Sequence, residues 1–126
     1  MQKKVLAIND ISCVGRCSLT VALPIISSCG IECSIMPTAI LSTHTGGFSG
    51  YTFTDFTNQM LDIANHWKSL NLNFDSIYTG FLGSKEQIDI VKQIVNMFKN
   101  IFLFFRFIKK LLFFKKLENN KRKFRC

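Results

Sequence analysis

The sequence predicts an α/β fold built on parallel strands, and three observations predict it. Three short apolar runs alternate with three stretches of helical periodicity. A polar, glycine-containing loop follows each apolar run. The charge is also unevenly divided: residues 1–99 carry seven Lys/Arg and seven Asp/Glu, whereas residues 100–126 carry nine Lys/Arg against Glu118 alone. The net charge of +8 therefore belongs to the C-terminal stretch, which excludes a uniformly basic nucleic-acid-binding domain. At 126 residues the chain is one domain at most.

Lys3 to Asn9 reads as a buried strand, because Val5, Leu6, Ala7 and Ile8 are consecutive apolar residues. Asp10 to Ser18 reads as a polar turn. Leu19 to Cys29 has helical spacing, with Gly30 suited to the position after the C-cap. Pro24 within it predicts a kink or an irregular first half. Glu32 to Leu41 is a second strand, and Pro37 predicts local irregularity. Ser42 to Thr54 reads as a loop of Ser, Thr and Gly. Phe56, Met60, Ile63, Ala64 and Trp67 then repeat at i, i+3/i+4, behind a cap at Thr54 or Asp55. Asp75 to Thr79 is a third strand. Ser84 and Gln87 fit a capping box, ahead of a helix whose buried face is Ile88, Val91, Ile94, Val95 and Phe98.

In open parallel sheets, ligands bind beyond the carboxyl ends of the strands. That rule gathers Asp10, the loop Thr43 to Gly47 and the segment Thr79 to Phe81 on one rim. A carboxylate at Asp10 can accept hydrogen bonds from a hydroxyl or ring nitrogen; alternatively it caps the next turn. Thr45, Gly46 and Gly47 offer a hydroxyl and a backbone that a ligand can approach closely, or form an ordinary loop. Phe81 can stack on a flat ring or fill the core. His44 is a possible donor, but neither it nor His66 is paired with a nucleophile in the sequence pattern. Neither GxGxxG nor GxxxxGK[ST] occurs.

Five cysteines without a CxxC pair favour neither a disulfide framework nor a zinc ribbon. The pairs Cys13/Cys17 and Cys29/Cys33 read as small buried thiols rather than metal ligands. A reducing, cytoplasmic setting follows. The N-terminal apolar run is too short for a secretory signal. The longest membrane-span candidate, residues 101–114, is broken by Arg106, Lys109 and Lys110.

Three blocks then carry a family resemblance. Val5-Leu6-Ala7-Ile8-Asn9-Asp10-Ile11-Ser12-Cys13-Val14-Gly15 closely resembles the opening of bacterial pyridoxal/pyridoxamine kinases of the ribokinase-like superfamily. Ser42-Thr43-His44-Thr45-Gly46-Gly47-Phe48 resembles their substrate-side loop, and Tyr78 to Ser84 with Glu86-Gln87 resembles a third block. Order and spacing agree over residues 3–99. The resemblance implies a three-layer, Rossmann-like sheet and phosphorylation of the 5′-hydroxyl of pyridoxal, pyridoxine or pyridoxamine by ATP with Mg2+. It places Asp10 against the ring substituents, where many members have Ser. It places Cys17 at a small apolar position on the ring, Thr45 near the substrate and Phe81 on the ring face. It implies a homodimer, and no nucleic acid or membrane. A hydroxymethylpyrimidine kinase of the same superfamily is the competing resemblance.

After Phe98 the family pattern continues with an Asp-Pro-Val-type acidic motif and a Gly-x-Gly-Asp segment that carries the catalytic base. Neither occurs, and no glycine or proline follows Gly83. The expectation is thus a kinase-domain portion at 1–99, ending after about three parallel strands, then an unrelated basic tail at 100–126, helical or disordered. The expected chain has no catalytic, nucleotide-binding or metal residue of its own, and is inactive as it stands. The tail's Ile, Leu, Phe, Lys, Arg and Asn resemble the product of a reading-frame change in an A/T-rich gene. The alternative is a basic amphipathic helix, with Phe104, Phe105, Ile108, Leu111 and Leu112 on one side, acting on an anionic membrane surface or an acidic partner.

Overall fold

The computed structural model describes residues 2–98 and the strand Phe102–Phe105. The elements in chain order are β1 (Lys4–Val14), α1 (Leu19–Ser28), β2 (Glu32–Thr43), β3 (Phe53–Asp55), α2 (Thr57–Ser69), β4 (Ser76–Thr79), α3 (Lys85–Met97) and β5 (Phe102–Phe105). They form one five-stranded sheet in the order β3-β2-β1-β4-β5. β1 runs parallel to both β2 and β4, and β4 runs parallel to β5. Only β3, a short edge strand, is antiparallel, pairing Ala39–Leu41 of β2.

The sheet is therefore larger than the three strands expected. β5 continues it past residue 99, and Phe104 and Phe105 lie in a strand rather than on a helix. Four consecutive apolar residues suit a strand of a parallel sheet. The other residues of the expected amphipathic helix, including Ile108, Leu111 and Leu112, lie outside the described residues.

The chain steps from β1 to β2 in one direction and from β2 to β4 in the other. With right-handed crossovers, the intervening helices fall on opposite faces. Strand alternation agrees. Leu6, Ile8, Met36 and Ile77 point to one face and are completely buried, packing with Met60 and Ala64 of α2 and with Ile90, Val91 and Ile94 of α3. Each large aliphatic side chain so removed from water contributes about 2 kcal/mol. Phe74 and Phe98 close this core, with edge-to-face contacts running from Trp67 through Phe74 to Phe98 at 5.7 and 5.1 Å. On the other face α1 packs against β1 and β2. α1 remains helical through Pro24.

The helix starts use different devices. At α2 the Asp55 carboxylate accepts from the Thr57 amide at 2.6 Å and from the Thr57 hydroxyl. These bonds hold the Asp55 carboxyl below its usual range. At α3 Ser84 Oγ accepts from the Gln87 amide at 3.1 Å, as a capping box requires. The reciprocal bond does not form. The Gln87 side chain turns inward, where its Oε1 accepts from Gly83 N–H at 2.8 Å. Its Nε2 donates to the Thr38 carbonyl at 2.9 Å and to Thr57 Oγ1 at 3.0 Å.

The cysteines differ from expectation. Cys13 and Cys29 are exposed, Cys17 and Cys33 are half-buried, and all four are free thiols. Burial pushes the Cys33 thiol up. Among the described residues no helix is long and apolar enough to cross a membrane.

Candidate functional site

The direction of strand order reverses at β1, whose neighbours are β2 and β4. At such a reversal the connecting loops leave in opposite directions and open a crevice at the carboxyl ends of the strands. β1 pairs with β4 only from Val5 to Ile8, but follows β2 on to Val14. Asp10, expected in a turn, thus lies within β1, just beyond the last residue paired to β4.

The register between β1 and β2 slips here. Asn9 faces Pro37 and Ile11 faces Ile40, so Thr38 and Ala39 of β2 lie opposite the single Asp10. This bulge sits at Pro37, whose missing N–H cannot serve a continuous ladder. The irregularity expected from Pro37 is thus a register shift beside the crevice.

Asp10 is 7% exposed. Among the described residues its carboxylate meets one hydrogen-bond donor, the Ser12 hydroxyl at the long distance of 3.4 Å. A carboxylate has about four acceptor positions, and those of Asp10 that Ser12 does not fill open onto solvent-filled space. Here it faces a cavity of about 390 Å3, shared with Ser12, Cys17, Ser18, His44, Thr45 and Phe81 and completed by Leu41, Tyr51 and Phe53.

Phe81 is 59% exposed, yet its backbone is held from three directions. Its N–H donates to Asn9 Oδ1 at 2.8 Å, its carbonyl accepts from Thr38 Oγ1 at 3.3 Å, and the preceding Gly80 N–H donates to the Ile8 carbonyl at 2.9 Å. Gly80 has no alternative, since a Cβ there would lie 2.1 Å from Asn9 Nδ2. The bonds continue from Thr38 through the buried Gln87 to the buried Thr57, and from there out to the exposed Asp55. A buried polar chain therefore fixes the base of an exposed aromatic ring.

The loop bearing Thr45 is closed at its base by Ser42 N–H to the Thr52 carbonyl at 3.1 Å and Thr52 N–H to Ser42 Oγ at 2.9 Å. His44 donates its backbone N–H to the Val14 carbonyl at 3.0 Å, and its Nδ1 accepts from Gly46 N–H at 3.0 Å. Its ring meets Phe48 edge-on at 5.1 Å and fills the space above Gly15. Gly15 has φ +113°, and a Cβ there would lie 2.0 Å from His44 Cδ2. His44 is thus a structural wedge as well as a cavity wall. Ser18 lines the cavity at φ 57°, ψ −135°, a conformation costly for any residue but glycine.

Of the residues expected at a substrate site, Asp10, Cys17, Thr45 and Phe81 line this one cavity. Gly46 does not line it; its amide instead braces His44. Sequence reasoning missed Tyr51 and Phe53, which reach the cavity because β3 folds back along β2. It also missed Asn9, a lone polar residue at the end of an apolar run. The arrangement can take a flat ring against Phe81 and Tyr51 and accept a proton-bearing substituent at Asp10. Among the described residues no group of three or more His, Cys, Asp or Glu could hold a metal ion.

A doubly wound sheet with this strand order and a crevice at the reversal is the architecture of the ribokinase-like kinases. Solved structures agree. The chain is 43% identical to a Bacteroides thetaiotaomicron protein assigned as a phosphomethylpyrimidine kinase, with a TM-score of 0.79 over 82% of this chain and 36% of that one. A second crystal form of that protein, with pyridoxal, matches at a TM-score of 0.78, with 43% identity over 83% of this chain and 37% of that one. The pyridoxal kinase of Lactobacillus plantarum is 27% identical, with a TM-score of 0.74 over 82% of this chain and 36% of that one. The chain thus spans little more than a third of the length of these relatives. No protein-family model matches it, and a search of curated proteins found no match. The chain has the ribokinase-like fold and is similar to part of a phosphomethylpyrimidine kinase and of pyridoxal kinases.

Proposed function

We propose that the chain forms the alcohol-binding part of a vitamin B6 kinase, taking pyridoxal, pyridoxine or pyridoxamine in the Asp10–Phe81 cavity. One observation carries this: a buried carboxylate with a single long hydrogen bond opens onto a cavity walled by aromatic rings. A hydroxylated pyridine answers both features. Its ring lies on Phe81, its ring hydroxyl donates to Asp10, and Thr45 and His44 border its remaining substituents. The relative crystallised with pyridoxal supports this choice of ring.

In the complete reaction a primary hydroxyl would give up its proton to a base and attack the γ-phosphorus of ATP as ADP leaves, so catalysis would rest on positioning, proton removal and charge stabilisation. ATP would supply the phosphoryl group, and magnesium would offset its charge. The residues of this chain would hold the ring and orient the alcohol. The 126 residues contain no Gly-x-Gly-Asp segment and no Asp-Pro-Val-type motif. In our reading the chain therefore binds the alcohol without phosphorylating it.

The 43%-identical protein assigned as a phosphomethylpyrimidine kinase favours a second reading, in which Asp10 accepts from the amino group of a hydroxymethylpyrimidine. Calorimetric titration of the full chain with pyridoxine, and with 4-amino-5-hydroxymethyl-2-methylpyrimidine, separates the two. Saturable binding that favours pyridoxine is expected, together with no ADP release from ATP and magnesium. Tighter pyrimidine binding would select the second reading. Measurable pyridoxine phosphorylation would overturn the claim of inactivity.

A further inference from the structure

We infer that Asn9 is a positioning residue, whose buried amide oxygen sets the Asp10 carboxylate and the Phe81 ring in fixed relation across the cavity. The inference deepens the reading above and rests on it for the identity of the ligand.

Asn9 is 5% exposed and directly follows Ile8, the last residue of β1 paired to β4. Its Oδ1 accepts from two backbone amides, Asp10 N–H at 3.0 Å and Phe81 N–H at 2.8 Å. Two converging N–H groups require an oxygen, so the orientation of the amide follows from chemistry. The two bonds join residues that are remote in sequence but share the cavity wall. One anchors the peptide leading into Asp10 at the bulge, where the β1–β2 ladder loses register and leaves that peptide least constrained. The other anchors the peptide of Phe81, which lies beyond the last residue of β4 and outside the ladder.

The neighbouring residues leave Asn9 no other place. Gly80 vacates the volume that the amide fills, with all three amide heavy atoms 2.1 to 2.3 Å from where a Cβ would stand. From the opposite side Thr38 Oγ1 donates to the Phe81 carbonyl at 3.3 Å. Phe81 is therefore clamped at both ends of its backbone while its ring stays free to meet a ligand. A side chain needed only to fill space would not require an acceptor aimed at both amides. An apolar residue would leave the two N–H groups without a partner.

The test uses the full chain and two readouts. Amide hydrogen exchange is measured by NMR in wild type, Asn9→Ala and Asn9→Asp. In Asn9→Ala the Asp10 and Phe81 amides are expected to exchange at least tenfold faster together, while Val91 and Ile94 of α3 keep their rates. Asn9→Asp, which retains the acceptor, is expected to restore both. Pyridoxine affinity is then measured for Phe81→Ala in each background. A loss of about tenfold is expected with Asn9 present and less than threefold with Asn9→Ala, because the unplaced ring no longer contributes. Should Asn9→Ala not fold, Gly80→Ala drives a methyl into the amide's space, and the same two amides are expected to respond. Unchanged or independent exchange at Asp10 and Phe81 would overturn the inference, as would an equal Phe81→Ala loss in both backgrounds. Coupled exchange without any pyridoxine binding by wild type would uphold the positioning role and reject the ring-site reading instead.

Discussion

Replacing Gln87 tests whether the buried polar chain holds the fold beneath the cavity. Gln87 is 2% exposed and its side chain makes three hydrogen bonds, to Gly83 N–H, the Thr38 carbonyl and Thr57 Oγ1. Gln87→Leu keeps the volume and removes all three. At about 1 kcal/mol net per bond the loss is about 3 kcal/mol. Two groups keep other partners: the Thr38 carbonyl still accepts from Phe56 N–H at 3.0 Å, and the Thr57 hydroxyl still donates to Asp55. Gly83 is exposed enough for water to reach its N–H. These compensations lower the expected cost to about 2 kcal/mol, read as the shift in urea-unfolding free energy. Gln87→Glu sharpens the test. A carboxylate still accepts from Gly83 but cannot donate to Thr38, and its charge is disfavoured by burial. Its folded pKa is therefore raised, so the variant is most stable below the unfolded value of about 4.3 and loses stability as pH rises through the folded value. A Gln87→Leu protein within about 0.5 kcal/mol of wild type, or a Gln87→Glu protein indifferent to pH between 4 and 7, would refute the reasoning.

Other substitutions probe separate parts of the account. Gly15→Ala should cost roughly 2 kcal/mol or more in urea unfolding, since φ +113° and a Cβ 2.0 Å from His44 Cδ2 both oppose it. Ser18→Gly should stabilise by about 1 kcal/mol in the same assay, because it relieves a conformation that favours glycine. Asp55→Ala should cost about 1 kcal/mol at neutral pH through loss of the bonds to Thr57. The Asp55 pKa is depressed in the folded state, so that contribution is present above the unfolded carboxylate value and lost as pH falls through the folded one. Wild type and Asp55→Ala should accordingly converge in stability in strong acid. Asp10→Asn should weaken pyridoxine about tenfold in calorimetric titration, the loss expected for a charge-assisted hydrogen bond.

The alternation of apolar runs with helical periodicity was enough to place β1, β2, β4 and the three helices, because each buries a continuous face and the period is visible in the residues. β3 left no such mark: Phe53, Thr54 and Asp55 are all exposed, and the strand exists through pairing with Ala39–Leu41 rather than through burial. The extension of β1 to Val14 was masked by Asp10 and Ser12. Both are polar residues that the fold buries at 7% and 1% exposure, where turn chemistry would have left them in water. β5 was hidden for the opposite reason, since its apolar residues stand in a stretch apolar and basic throughout. At the site, Asp10, Thr45 and Phe81 could be grouped because each follows or ends a strand at one rim. Asn9 and Gln87 could not. Their roles depend on contacts 72 and 49 residues away, made by single amides that no periodicity distinguishes.

The most direct test of the central claim is a pyridoxine titration of the isotope-labelled full chain followed by amide chemical shifts. The account predicts saturable shifts at Asp10, Cys17, Thr45 and Phe81 with one common dissociation constant, and little change along α2 and α3. Shifts that stay linear to the solubility limit, or that cluster on α2 and α3 instead, would contradict it.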